Sequence, residues 1–162
     1  METIGTTGTK IDLDNLDSVT NLFQEKGALP ELDRLLQDFV DREDLFLYTE
    51  EVLMSKCNSL SKFFFLKGLT SLISTKWPVI PDDSKDKNRE VIISFIGKPY
   101  DSSNQNVLNK AFAALTEILK FDLDQNWPNF FETFFSFSSN SPINGLLFLT
   151  YFTKEIMSDS EQ

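Results

Sequence analysis

Asp12, Asp14 and Asp17 place three carboxylates close together, an oxygen-rich pattern of the kind that holds hard cations. The run has neither the glycine nor the closing glutamate of an EF-hand loop. It reads instead as a solvated helix start, where negative charge faces the positive end of the helix dipole. Glu50 with Glu51, and Asp122 with Asp124, supply the paired carboxylates that glycosidic chemistry needs. Nothing in their spacing sets either pair across a cleft, and they read as surface charge. Cys57 is the single cysteine, and the chain has no histidine. Without histidine no Ser–His or Cys–His nucleophile can be assembled. One thiol excludes a disulfide within the chain and a zinc site of several thiolates, so Cys57 reads as a small buried hydrophobe. There is no phosphate-cradling or dinucleotide glycine motif. The expectation is a non-enzymatic protein with no cofactor and no metal.

The charge balance narrows the partners. A net charge of −10 and a pI near 4.4 make nucleic acid and anionic membrane surfaces unfavourable. No apolar run approaches the roughly 20 residues needed to cross a bilayer. Met1 to Lys10 is polar and lacks the apolar stretch of a signal peptide, and Glu2 stands where myristoylation requires glycine. These features predict a soluble intracellular protein. Its 162 residues suffice for one domain, and its 16 phenylalanines call for a deep core or a partner surface.

The elements that must carry these residues are helical. Leu32, Leu35, Leu36, Phe39 and Val40 form one apolar stripe behind Pro30. Leu16, Val19, Leu22 and Phe23 predict a shorter helix stopping near Gly27, and Leu45, Tyr48, Val52 and Leu53 a third. A long fourth runs from about Ser59 to Trp77, its inner face Phe65, Leu66, Leu69, Leu72 and Ile73, and Pro78 and Pro81 stop it. Asp82 and Asp83 are candidate N-caps for a fifth, carrying Val91, Ile92, Phe95 and Ile96. The sixth, from about Asn106 to Phe121, turns Leu108, Ala111, Phe112, Leu115, Ile118 and Leu119 inward. Pro128 is expected to open a seventh with Phe130, Phe131, Phe134 and Phe135. Ser141 and Pro142 are expected to open an eighth, with Leu146, Leu149, Phe152 and Ile156 inward. Val91 to Phe95 is the one segment with local strand character.

Eight helices pair into four hairpins. Lys76-Trp77-Pro78 and Asn126-Trp127-Pro128 end two of them alike, at a spacing slightly above the usual period of roughly 40–47 residues for HEAT arrays. The predicted fold is all-α: an α-solenoid, a right-handed superhelix of about four HEAT-like helical hairpins. Residues 1–12 are expected as a flexible tail, 13–157 as the repeat domain and 158–162 as a C-terminal tail. Trp77 and Trp127 are expected to be structural. Helical phasing cannot place Phe130, Phe131, Phe134, Phe135, Phe148 and Phe152 all inside, so some phenylalanine surface should face outward.

The fourth helix reads Ser61-Lys62-Phe63-Phe64-Phe65 at its start and Ile73-Ser74-Thr75-Lys76-Trp77-Pro78 at its end. This resembles the second B helix of exportin-1-type receptors in the importin-β (karyopherin) family. Ile118-Leu119-Lys120 followed by Trp127-Pro128-Asn129-Phe130 is similar to a second segment of that family, with Leu123-Asp124 where the family has a first Trp-Pro. The ending from Leu149 to Ser160, with Glu155-Ile156, is similar to its fourth B helix. The resemblance covers about Asn58 to Asp159.

What the resemblance implies is nuclear export of proteins, shuttling between nucleus and cytoplasm. The partners would be the small GTPase Ran in its GTP form and nucleoporins, with export cargo bound only through regions outside this chain. The family's reactive cysteine lies far downstream and is not Cys57. Family members line their concave side with B helices. On that basis Lys67, Thr70, Ser71 and Ser74 of the fourth helix, with Lys110, Ala113 and Glu117 of the sixth, are expected to face Ran. The competing expectation is a helical adaptor of the VHS or ENTH kind in membrane trafficking. A basic lipid-binding patch would favour it, and the net charge argues against one.

Overall fold

The computed structural model describes residues 10–160. Eight α-helices follow one another: α1 Leu13–Lys26, α2 Pro30–Val40, α3 Thr49–Leu53, α4 Ser59–Lys76, α5 Asp82–Ile96, α6 Gln105–Asp122, α7 Phe130–Asn140 and α8 Pro142–Ser160. Among the described residues there is no strand, and Val91 to Phe95 lies inside α5. The even-numbered helices stack in succession, α2 on α4, α4 on α6 and α6 on α8. α3, α5 and α7 follow one another in a second layer, and α1 lies against α2 and α4. This is the all-α solenoid of paired helices that the two stripes of Trp-Pro-terminated helices predict.

Local chemistry explains where the helices begin and end. Asp12 caps α1 by accepting a hydrogen bond from the backbone N–H of Asn15 at 3.0 Å. Gly27 ends it at φ 77°, a backbone setting open to glycine and strained for other residues. Pro30 occupies the first position of α2, where a missing N–H costs nothing. Asn58 caps α4 through the N–H of Ser61 at 2.8 Å. Asp82 and Asp83 do not cap α5. Pro81 holds the cap position and the two carboxylates sit in the first turn, where they still favour the dipole. α7 starts at Phe130 rather than Pro128, because residues 123–126 and 128–129 form turns after α6. The Ser141 hydroxyl is directed away from α8, donating to the carbonyl of Lys98 at 3.1 Å.

The central helices bury the faces their periodicity marks. Phe65, Leu66, Leu69 and Ile73 of α4, and Ala111, Phe112, Leu115 and Ile118 of α6, are fully buried. α4 also approaches its neighbour at backbone range. A Cβ added at Gly68 would lie 2.6 Å from the Val40 carbonyl oxygen and 2.6 Å from Leu45 Cδ1. Gly68→Ala should therefore push α4 off the end of α2 and destabilise the fold by about 1–3 kcal/mol, the usual range for overpacking. Urea denaturation checks this; an unchanged midpoint would mean that the α2–α4 contact is looser than this geometry.

Other expectations need correction. Ile11 is buried in the core and Asp12 caps α1, so the ordered unit begins before the expected boundary at 13, while residues 1–9 of the expected tail lie outside the described residues. α8 continues to Ser160, past the expected end at 157, and residues 161–162 lie outside the described residues. Asp17 is not simply solvated. Its Oδ1 accepts from the Asn58 N–H at 3.0 Å and from the Ser61 hydroxyl at 2.6 Å, tying α1 to the start of α4.

The largest departure is in α8. Leu146, Leu149 and Ile156 face outward, Leu146 with 67% of its surface exposed, while Phe148 is buried and Tyr151 and Phe152 are partly so. In α7, Phe130, Phe134 and Phe137 point inward, leaving Phe131 and Phe135 at 59% and 65% exposure. Both helices are apolar on more than one side, so periodicity alone offers two phases, and packing against Phe112 selects the phase led by Phe148. The expected outward-facing phenylalanine surface is present, at Phe131 and Phe135.

Candidate functional site

The residues expected to face a partner fall on α4 and α6, the two most closely packed helices. Lys67, Ser71 and Ser74 are exposed, whereas Thr70, Lys110, Ala113 and Glu117 are half-buried. Their chemistry is uneven. The Thr70 hydroxyl donates to the Leu66 carbonyl at 2.7 Å, and the Ser74 hydroxyl to the Ser71 carbonyl at 2.8 Å. Each has spent its proton on its own helix, leaving only oxygen lone pairs for a partner. The Lys110 ammonium lies 5.3 Å from the centroid of the Phe63 ring, within cation–π range, which bridges α6 to α4.

Glu117 is already engaged. It accepts from Lys120 at 3.0 Å, and Lys120 also meets Asp159 of α8 at 2.8 Å. Partial burial pulls the Lys120 pKa down, but the carboxylates of Asp159 and Glu117 outweigh it and leave it above the ordinary lysine value. The two helices thus present Lys67, Ser71 and Ser74 openly and Lys110 on an aromatic platform. Glu117 belongs to a charge relay reaching the last helix.

Sequence reasoning missed a second cluster, which fixes the register of these helices. Asp122, read as surface charge, is 2% exposed. Its Oδ2 accepts from Trp77 Nε1 at 3.0 Å, from Arg89 Nη2 at 2.6 Å and from Arg89 Nε at 3.1 Å. The guanidinium carbon of Arg89 sits 5.4 Å from the Trp77 ring centroid and 5.7 Å from that of Trp127. Asp86 holds its outer edge at 2.7 Å. The two repeated Trp-Pro positions therefore meet across one arginine, anchored by one carboxylate at the end of α6. Trp77 is almost completely buried, while Trp127 is half-buried and packs edge-on against Phe130 at 5.1 Å. The sequence signal was the repeat itself: Asp122 lies five positions before the second tryptophan, at a helix end that hydropathy cannot distinguish from solvent.

The remaining polar candidates are Cys57 and the carboxylates of Glu50 and Glu51. The Cys57 thiol is half-buried and donates to the Val52 carbonyl at 3.4 Å, and burial pushes its pKa up, which disfavours the reactive thiolate. Among the described residues no group of three or more acidic or cysteine side chains is placed to hold a metal ion. Glu50 meets Lys87 at 3.0 Å and Glu51 meets Lys10 at 3.8 Å, so neither forms a carboxylate pair across a cleft. No helix among the described residues is long and apolar enough to cross a membrane.

The chain is similar to known proteins. The family described as Exportin 1-like protein matches residues 104–162, from the start of α6 through α8. Exportin-1 of Schizosaccharomyces pombe is 29% identical over 130 residues, covering 75% of this chain and 12% of that protein. Exportin-1 of Drosophila melanogaster is 23% identical over 162 residues, covering 94% of this chain and 15% of its own. Exportin-1 of Dictyostelium discoideum is 25% identical over 174 positions spanning the whole chain and 16% of its own. The chain spans only 12% to 16% of the length of these relatives. With its all-α solenoid, its match over residues 104–162 and these identities, the chain is similar to exportin-1-like proteins.

Proposed function

We propose that this chain is the N-terminal, Ran-GTP-binding part of a nuclear export receptor of the exportin-1 type. The observation that carries the reading is the packed α4–α6 pair, which sets Lys67 and Lys110 on neighbouring helices of an exportin-like chain whose net charge is −10. On so acidic a molecule, two lysines on one rigid face are a local reversal of sign, and such reversals select partners and steer encounter. The receptor would move between nucleus and cytoplasm, meet nucleoporins on the way, and take cargo only through regions outside this chain. Its action is binding, with no reaction of its own.

The test is a titration of Ran loaded with a GTP analogue against the wild-type chain and a Lys67→Glu, Lys110→Glu double variant. Contacts of this kind are polar and shallow, and further contacts elsewhere in a whole receptor would add avidity of roughly 10²–10⁴ that a short chain lacks. Wild-type binding is therefore expected in the micromolar range, weaker by about tenfold in the double variant. Equal binding by the two proteins would remove this face from the site, and no binding by the wild type at high micromolar concentration would remove the Ran reading.

A further inference from the structure

Along the edge where α4 and α6 begin and α5 ends, a cavity of about 380 Å³ opens to solvent. That volume lies within the range of sites that hold small ligands or single side chains. Its centre is Phe95, in the last turn of α5. The ammonium of Lys62 lies 5.9 Å from the Phe95 ring centroid and that of Lys98 lies 5.3 Å from it. Two cations thus converge on one ring, and among the described residues no carboxylate forms an ion pair with either. Lys62 also stands in the opening turn of α4, where the helix dipole disfavours positive charge. In a chain with 25 acidic and 15 basic side chains, two lysines converging on one ring without a counter-ion make a local positive site that suits an anion.

The one acidic residue at the rim does not supply it. Asp101 Oδ1 accepts from the Ser103 N–H at 2.9 Å and the Ser103 hydroxyl at 2.7 Å, and Oδ2 accepts from Asn104 at 3.3 Å, so the carboxylate serves its own turn. The wall is built rather than loose. Ser59 donates to Asn104 at 2.7 Å, joining the start of α4 to that of α6. Asn144 of α8, buried in the wall, donates to the carbonyls of Ile96 and Lys98 at 2.7 and 2.8 Å, which pins the segment that carries Lys98. The floor is otherwise apolar, formed by Pro99, Val107 and Leu108 beside Phe95. A bare inorganic anion would use the lysines and waste that floor.

We infer that this cavity docks an acidic peptide segment, its Asp or Glu carboxylate between Lys62 and Lys98 and a neighbouring apolar side chain on the Phe95–Val107–Leu108 floor. The site is separate from the α4–α6 face assigned to Ran, and it stands whether or not that assignment does. The acidic remainder of the surface repels such peptides elsewhere, so this cavity is where one would settle.

A fluorescein-labelled capped peptide of alternating glutamate and leucine is the probe, titrated by anisotropy against the intact 162-residue chain, a Lys98→Glu variant and a Lys62→Glu, Lys98→Glu variant. Lys98 is exposed, so its single variant guards against a folding artefact at the half-buried Lys62. The expected result is saturable binding, weakened about tenfold by the single change and abolished by the double one. On the labelled wild-type protein, amide shift changes should centre on Phe95, Lys98 and Val107. No saturable binding, equal binding by the variants, or shifts centred elsewhere would overturn the assignment. Displacement of the peptide by an equal concentration of inorganic phosphate would overturn it too, by reducing the cavity to a simple anion site.

Discussion

Arg89→Ala should lower the unfolding free energy by about 3–5 kcal/mol, a large fraction of the 5–15 kcal/mol that holds a domain of this size together. The reason is what the change leaves behind. Asp122 is 2% exposed and cannot reach water, and two of the three donors to its Oδ2 come from Arg89. Removing the guanidinium strands a buried carboxylate with little beyond the Trp77 N–H. The reverse change should cost less. In Asp122→Ala the arginine, 12% exposed and already touching Asp86, can swing outward and rehydrate. The expected order is therefore Arg89→Ala worse than Asp122→Ala, even though the two residues form one ion pair. A double variant with leucine at both positions should lose less than the sum of the single changes, because no charge is left unpaired. Urea denaturation of the four proteins, with slopes compared to confirm an unchanged native state, checks all of this. Equal costs, or a loss below about 1 kcal/mol for Arg89→Ala, would show that the node is looser than its distances indicate.

Trp77→Ala should cost a further about 3–5 kcal/mol, the usual range for emptying a buried tryptophan site. The ring fills the junction between the end of α4, the start of α5 and the end of α6, and it is almost completely buried. Trp77→Phe separates the two contributions. It keeps most of the apolar filling but removes the indole N–H, so Asp122 loses a donor at a cost of about 1–3 kcal/mol. Trp127→Ala should be much milder, about 1 kcal/mol, since that ring is half-buried and contacts mainly Phe130 and the Arg89 face. Thermal and urea unfolding of the three variants measure the series. Equal losses at Trp77 and Trp127 would contradict the asymmetry between two positions that the sequence presents as alike.

α2 and α6 were legible because each is amphipathic in one phase, whereas α4 carries Phe63 and Phe64 outside its stripe and was legible from its length and its proline stop. In all three, every residue assigned to the stripe is buried. α8 was misread because Leu146, Phe148, Leu149, Phe152 and Ile156 make an apolar cylinder, and only the position of Phe112 and Phe130 decides which side turns inward. The candidate face on α4 and α6 followed from subtraction: once the stripe is removed, Lys67, Ser71 and Lys110 have nowhere else to be. What subtraction cannot see is the company a polar residue keeps. Glu117 meets a lysine that also reaches α8, Asp17 reaches across to Asn58, and Asp122 is enclosed by Trp77 at the end of α4 and Arg89 of α5. Each belongs to a contact that joins residues more than thirty positions apart. Local composition records the charge of such a residue and not its distance from a partner more than thirty positions away.

The meeting of Trp77, Arg89 and Trp127 also gives the molecule a built-in optical gauge. These are the only two tryptophans in the chain, and both border the same cation. One closes the second hairpin, the other leads into the fourth, and the arginine between them belongs to the third. Intrinsic emission therefore monitors the alignment of three successive hairpins rather than the integrity of any one helix. If the third hairpin lifted away while every helix stayed wound, far-ultraviolet dichroism would stay still and the fluorescence of both indoles would change together.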